Sequence, residues 1–302
     1  MPDSDAAFAA ESGLPRILGL LTTFFFVSVI VVGLRMYTRI RILRTASSDD
    51  VLIGLAALAG WIMVLIQSKY GLGRHQSTIS ADDLKIYNKL FFCLNVVSIA
   101  IGTMFLKVSI ALNLHRLCKN QWYKWSLRVL IVIVILYEFV GFLFFFLDCK
   151  PLAGYWDTTL DAKCAETSTL IAFGLVNTSF SIVTDVALAV LPIPIIWALN
   201  MKLKLRLYLI AVLSLGYLAV AMDIVKTYYQ ETFSLDVDET YTDNLILFGL
   251  LEEYFGMIAA SVPMLRPLVG KAIGLSSADY YTYGRNTGDT SSMSARQAAR
   301  VA

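Results

Sequence analysis

The sequence predicts an all-α protein, a seven-transmembrane helix bundle with its N-terminus outside and its C-terminus in the cytosol. Three observations carry that expectation. The 302 residues are 57% hydrophobic and only 16% Asp, Glu, Lys and Arg, where soluble proteins carry about 25% charged residues, so the chain cannot clothe a water-facing surface of its size. Seven stretches are apolar enough to cross roughly 30 Å of hydrocarbon as helices, which satisfy their own backbone hydrogen bonds there. Lys and Arg concentrate in alternate connections between those stretches, the asymmetry that sets orientation.

The elements follow in order. Residues 1–12 contain Asp3, Asp5 and Glu11 but no basic residue; they do not read as a cleaved secretory signal, so the first apolar stretch must drive insertion. Stretches 17–34 and 51–68 carry no charge, 90–114 is interrupted only by Lys107, 129–147 only by Glu138, and 167–201 only by Asp185. Stretch 207–229 holds Asp223 and Lys226, and 245–265 holds Glu252 and Glu253. This organisation gives a short outer segment (1–14), a membrane domain (15–270) and a cytosolic tail (271–302). From Ser276 the tail is rich in Ser, Thr, Gly, Asn and Ala, a composition that buries too little to fold. No inverted repeat of two halves is visible, which argues against a secondary transporter.

One set of connections holds Arg39, Arg41 and Arg44, then Arg116, Lys119 and Lys124, then Lys202, Lys204 and Arg206, and the tail adds Lys271, Arg285, Arg296 and Arg300. These are assigned to the cytosol. The opposite set places Asp82 and Asp83, Asp157, Asp161 and Glu166, and Asp236, Asp238, Glu239 and Asp243 among fewer basic residues. Cys149 and Cys164 fall in one outer connection, where an oxidising compartment lets them pair. Cys93, near the outer end of the third stretch, is the alternative partner for either, and Cys118 on the cytosolic side stays reduced.

The net charge of +2 and the lack of a basic run exclude nucleic acid as a partner. A retinal protein needs a lysine amine in its last helix for the Schiff base, and 245–265 has none. His75 and His115 lie on opposite sides of the bilayer, so no His-based metal site is expected, and no cofactor motif appears.

Ionisable residues at membrane depth are costly, by about 2.5–3.5 kcal/mol on insertion scales, and are functional candidates for that reason. Asp185 either lines a polar cavity or holds a neighbouring helix by a buried hydrogen bond. Glu138 is a ligand contact or a plain interhelical contact. Glu252 and Glu253 point about 100° apart on a helix, so at most one looks straight into the bundle. Asp223 and Lys226, three residues apart, share a face and suit a local ion pair. Lys107, about two turns from its cytosolic end, is placed to snorkel. Together, Asp185, Asp223, Glu252 and Glu253 outline an outward-facing acidic cavity that would bind a cationic or hydroxylated small ligand or, with a carboxyl pKa raised by burial, act as an acid. Pro192 and Pro194 should kink the fifth helix, Asp49 and Asp50 should cap the second or pair with Arg35 or Arg39, and the sequon at Asn177 lies inside a helix.

An ordered set of short motifs runs through the chain: Arg35-x-Tyr37-x-Arg39, Asp49-Asp50, Tyr70-Gly-Leu-Gly-Arg-His75, Lys107-x-Ser109, Cys149-x-Pro151 followed by Trp156 and Cys164, Asp185 with Leu191-Pro-Ile-Pro-Ile-Ile-Trp-Ala-Leu-Asn-Met201, and Pro263-x-Leu-Arg-Pro267. Across about residues 15–270 it resembles the fungal rhodopsin-domain family of integral membrane proteins, the type also found in satratoxin gene clusters. The resemblance implies a seven-helix, receptor-like protein of a filamentous fungus. Some relatives resemble G-protein-coupled receptors and carry a cysteine-rich extracellular domain; others accompany secondary-metabolite pathways. Here the segment before the first stretch is only about 15 residues without cysteine, and Lys226 stands where an arginine is expected. The expected function is receptor-like binding of a small hydrophobic or amphipathic molecule, with the lipid bilayer and a cytosolic signalling protein as partners. The alternatives are a membrane-embedded cyclase or isomerase using Asp185, Glu252 or Glu253, and a metabolite exporter.

Overall fold

The computed structural model describes residues 11–43, 48–117, 120–157, 159–191, 193, 203–232 and 238–272. Among them seven long helices follow one another: α1 (Leu14–Tyr37, continued by a π-helical Thr38–Leu43), α2 (Ser48–Gln67), α3 (Ala81–Cys93, a π-helical Leu94–Ala100 and Ile101–Leu117), α4 (Gln121–Leu147), α5 (Thr167–Val190), α6 (Leu203–Glu231) and α7 (Asn244–Ala272). Five of these are both long and apolar enough to cross a bilayer. The apolar part of α2, Val51–Gln67, is shorter, and α6 carries Asp223 and Lys226 in its second half. The expected kink at Pro192 and Pro194, the side-chain cap at 47–50, Cys118 and the tail from 273 lie outside the described residues.

On α5 burial is inverted relative to a water-soluble bundle. The buried positions are Gly174, Thr178, Ser181, Thr184, Leu188 and Ala189, while Val176, Phe180, Val183 and Val190 are exposed. Small and hydroxyl side chains let helix backbones approach, and large apolar ones are left for acyl chains. The same division places Phe26, Ile30 and Leu34 of α1 and Val132, Leu136 and Phe139 of α4 on the outside.

Consecutive helices pack on one another, and α7 closes the ring against α1 while also touching α3. Of the five apolar spans α7 is the most enclosed: 67% of its most apolar stretch is buried, against 53% in α3, 28% in α1 and 22% in each of α4 and α5. Its fully buried Leu250, Tyr254 and Met257 meet Leu21 and Phe25 of α1, Val64 of α2 and Leu94 of α3 in one apolar cluster. Phe25 stacks on Trp61 at 4.7 Å between ring centroids. A smaller cluster of Ala111, Leu127, Leu130 and Leu188 joins α3, α4 and α5.

One end of the bundle carries a cap. Strand β1 (Cys149–Lys150) pairs antiparallel with β2 (Lys163–Cys164), and a disulfide joins Cys149 to Cys164. Cys93, the other expected partner, remains a free thiol. Between the strands, Tyr155 and Trp156 pack on Phe92 of α3 at 4.9 and 5.8 Å, and Lys85 pairs with Asp157. The Tyr70-to-His75 segment supplies the rest of the cap. Gly73 (φ +76°) receives Gly13 N–H on its carbonyl at 2.9 Å and donates to the Thr240 carbonyl at 2.8 Å. A Cβ there would collide with the backbone of Leu14, so glycine is required where three segments meet.

Candidate functional site

Two sites emerge, one inside the helices and one under the cap. The first is built on the inward face of α5, where Ser181, Thr184 and Asp185 recur at helical spacing. Lys107 of α3 reaches this face. Its Nζ lies 2.9 Å from Asp185 Oδ1 and donates to Ser181 Oγ at 2.7 Å and Tyr137 Oη at 3.3 Å. The expectation that Lys107 snorkels is corrected: its side chain is 3% exposed, because carboxylate and hydroxyl acceptors inside the bundle satisfy the ammonium better than a two-turn reach to the interface. Lys226 of α6 makes the expected local pair with Asp223 at 2.9 Å and also donates to Glu252 Oε2 of α7 at 2.6 Å.

Oxygens of Asp185, Asp223 and Glu252 all lie within 4.8 Å of one another. Three carboxylates at that spacing resemble a hard-cation donor set, but Lys107 and Lys226 already sit among them. The result is an ionic cluster spanning α3, α5, α6 and α7, with three acidic and two basic members.

The other two sequence candidates stand apart from it. Glu138 of α4 accepts a 3.3 Å hydrogen bond from Thr103 Oγ1. Glu253 turns to a different side of α7, fully buried, where its carboxyl fills the space left by Gly102 beside Ala56 of α2. Neither Glu253 oxygen has a hydrogen-bond partner among the described residues. The 100° between neighbouring helix positions therefore separates Glu252 from Glu253 as the sequence requires.

At the end away from the cap, Arg35 of α1 donates to the Ala260 carbonyl at 2.9 Å and to Ser109 Oγ at 3.1 Å, and Arg39 donates to Asn113 Oδ1 at 2.9 Å. Lys107-x-Ser109 thus turns two faces of α3, one to α5 and one to Arg35.

The second site is a cavity of about 320 Å³ beneath the disulfide cap, within the usual range for small-molecule sites. Its walls include Tyr87, Asn88 and Phe91 of α3, Asp148 and Tyr155 of the cap, Leu170 of α5, Tyr229 of α6, and Asp243 and Leu245 at the start of α7. Tyr87 Oη donates to Asp243 Oδ2 at 2.7 Å. None of Asp185, Asp223, Glu252, Glu253 or Glu138 lines it. The sequence does not mark Asp148 and Asp243 as site residues, because both stand at helix ends, where an acidic residue reads as solvated; the one signal for Asp148 is its place directly beside Cys149.

A family profile described as the fungal rhodopsin domain matches residues 34–271. The chain belongs to the fungal rhodopsin domain family. With its apolar helices, this fungal rhodopsin domain is an integral membrane protein. It is 26% identical over 279 residues to a polyenoic acids biosynthesis gene cluster protein, Ba17b, of Metarhizium anisopliae, covering 85% of this chain and 74% of that one. It is 24% identical to a SAT4 family membrane protein of Emericella nidulans (74% of this chain, 59% of the relative) and 22% identical to Receptor GIN3 of Arthrobotrys oligospora (84% and 62%). It therefore spans less than two thirds of the latter two relatives. No solved structure matches this fungal rhodopsin domain.

Proposed function

We propose that this fungal rhodopsin domain is a receptor-like protein that binds a small amphipathic molecule in the cavity under the disulfide cap. One observation carries the reading: a cavity of about 320 Å³ walled by four of the long helices and the cap. Elements that move relative to one another are needed if a ligand is to be sensed, because a ligand shifts an equilibrium only by binding one arrangement better. The α3, α5 and α6 helices and α7 contribute to the cavity and also to the ionic cluster, so a ligand wedged between them bears on the pairs Lys107–Asp185 and Lys226–Glu252. The naming of one relative as a receptor and of another as a gene-cluster protein supports a sensing or accessory role in metabolite biology.

The test is thermal unfolding of the purified protein in lipid nanodiscs against small amphiphiles bearing amine, alcohol or carboxylate heads. At least one should raise the unfolding midpoint saturably. Leu170→Trp and Asn88→Trp, which fill the cavity from two different helices, should abolish that effect while leaving a cooperative transition. Stabilisation retained in both filled variants, or absent from the whole series, would refute the reading.

A further inference from the structure

From the chemistry of the cavity walls, and resting on the cavity reading above, we infer that the ligand is a small amine with an apolar body, its ammonium held between Asp148 and Asp243 and its body against aromatic rings. The walls contain two carboxyl groups, and among the described residues no Lys, Arg or His lines them. An anionic ligand would meet two carboxyl groups there and no fixed positive charge among the described residues.

Asp148 is the decisive group. It is 9% exposed, and its Oδ1 has no hydrogen-bond partner among the described residues. The polar neighbour of its other oxygen is Cys149 Sγ at 3.7 Å, a disulfide sulfur with no proton to donate. A buried acceptor without a donor costs about 1–3 kcal/mol, more when charged, and burial pushes the Asp148 carboxyl pKa above its ordinary value. An ammonium offsets that cost by supplying both charge and N–H donors.

Asp243, the second carboxyl of the wall, is held in a conformation that favours glycine, φ +37°. Its Oδ2 is oriented by Tyr87 Oη. The rings of Tyr87, Phe91, Tyr155 and Tyr229 complete the enclosure, and their π faces attract a cation that has left water. Leucines 170 and 245 extend the apolar wall.

Three probes of matched shape decide the matter: 2-phenylethylamine, 2-phenylethanol and 3-phenylpropionate, titrated against the full chain in phosphatidylcholine nanodiscs, with binding to Leu170→Trp subtracted. The amine should bind at least about tenfold more tightly than the alcohol, the gain expected of one hydrogen bond to a charged group, and the acid should bind worst. Asp148→Asn should erase the amine's advantage and leave the alcohol unchanged. Thr167→Lys, on an exposed residue of the same wall, should reverse the order in favour of the acid without touching the interior. Equal binding of the three probes, or preference for the acid, overturns the amine assignment while the cavity reading stands. Binding that Leu170→Trp and Asn88→Trp fail to block overturns both.

Discussion

Lys107 Nζ stands 2.9 Å from Asp185 Oδ1, joining α3 to α5 with both side chains largely withdrawn from solvent. Removing one member of a buried pair leaves an uncompensated charge and costs about 3–5 kcal/mol, whereas replacing both by apolar groups is often neutral. Lys107→Met should therefore destabilise the bundle by that amount, and Lys107→Met with Asp185→Leu should recover most of it. Unfolding midpoints of the wild type, both single variants and the double variant give the coupling. Additive losses would mean that the two groups act separately.

Glu253 differs from Asp185 in having no partner among the described residues. Glu253→Leu should accordingly be neutral or stabilising, because it removes a polar group whose burial costs free energy. Gly102→Ala should destabilise by about 1–3 kcal/mol, since the added methyl collides with the Glu253 carboxyl. Combining Gly102→Ala with Glu253→Ala should restore stability. A loss in Glu253→Leu as large as in Asp185→Leu would reveal a partner for this acid and defeat the prediction.

The helical architecture was legible because lipid imposes one rule on every crossing: a long, predominantly apolar run. The shared connection of Cys149 and Cys164 made their pairing the leading expectation, with Cys93 left open until the structure showed it free, and helical spacing gave the Asp223–Lys226 pair. What the sequence could not express is distance between helices. Lys107 read as a snorkelling residue because its nearest exit was visible and its partner, 78 positions later, was not. Helical phase separated Glu252 from Glu253, yet the meeting of Glu252 with Asp185 and Asp223 depends on how three helices rotate about their axes. The cavity was hidden further still, since Asp148 and Asp243 stand at helix ends and come to line one cavity only after the cap folds over the bundle.

The disulfide closes a loop with a sequence separation of 15, which in the chain-entropy model corresponds to about 3 kcal/mol. Cys149→Ser with Cys164→Ser should lower stability by that order. It should also weaken binding in the cavity, because Cys149, Tyr155 and Cys164 belong to its wall. Paired measurements of unfolding and of 2-phenylethylamine binding check both effects. Unchanged binding in the doubly substituted chain would show that the cap does not shape the cavity.

The charge asymmetry of the connections predicts that the cap faces away from the cytosol. A membrane-impermeant thiol reagent applied to intact cells should label Ser234→Cys and should miss Lys202→Cys until the membrane is permeabilised. The opposite pattern would invert the bundle and place the cavity on the cytosolic side.

Asp238 ties the α6–α7 connection to the α2–α3 connection, accepting from His75 Nδ1 at 2.9 Å and from the Gln76 N–H at 3.0 Å. The hydrogen bond from His75 holds its carboxyl below the ordinary aspartate range, as that from Lys85 does for Asp157. A carboxyl whose folded pKa is depressed stabilises the fold above its unfolded pKa, near 3.9, and loses that contribution as pH falls through the lower folded pKa. Acidification below about pH 4 should therefore release the cap before the interior. Hydrogen exchange at residues 74–79 should accelerate there while α7 stays protected. Asp238→Asn should show the faster exchange already at neutral pH, because the neutral amide keeps the shape but not the charge that His75 and Gln76 address. If exchange at 74–79 in the wild type and in Asp238→Asn is the same at neutral pH, Asp238 does not fasten the cap.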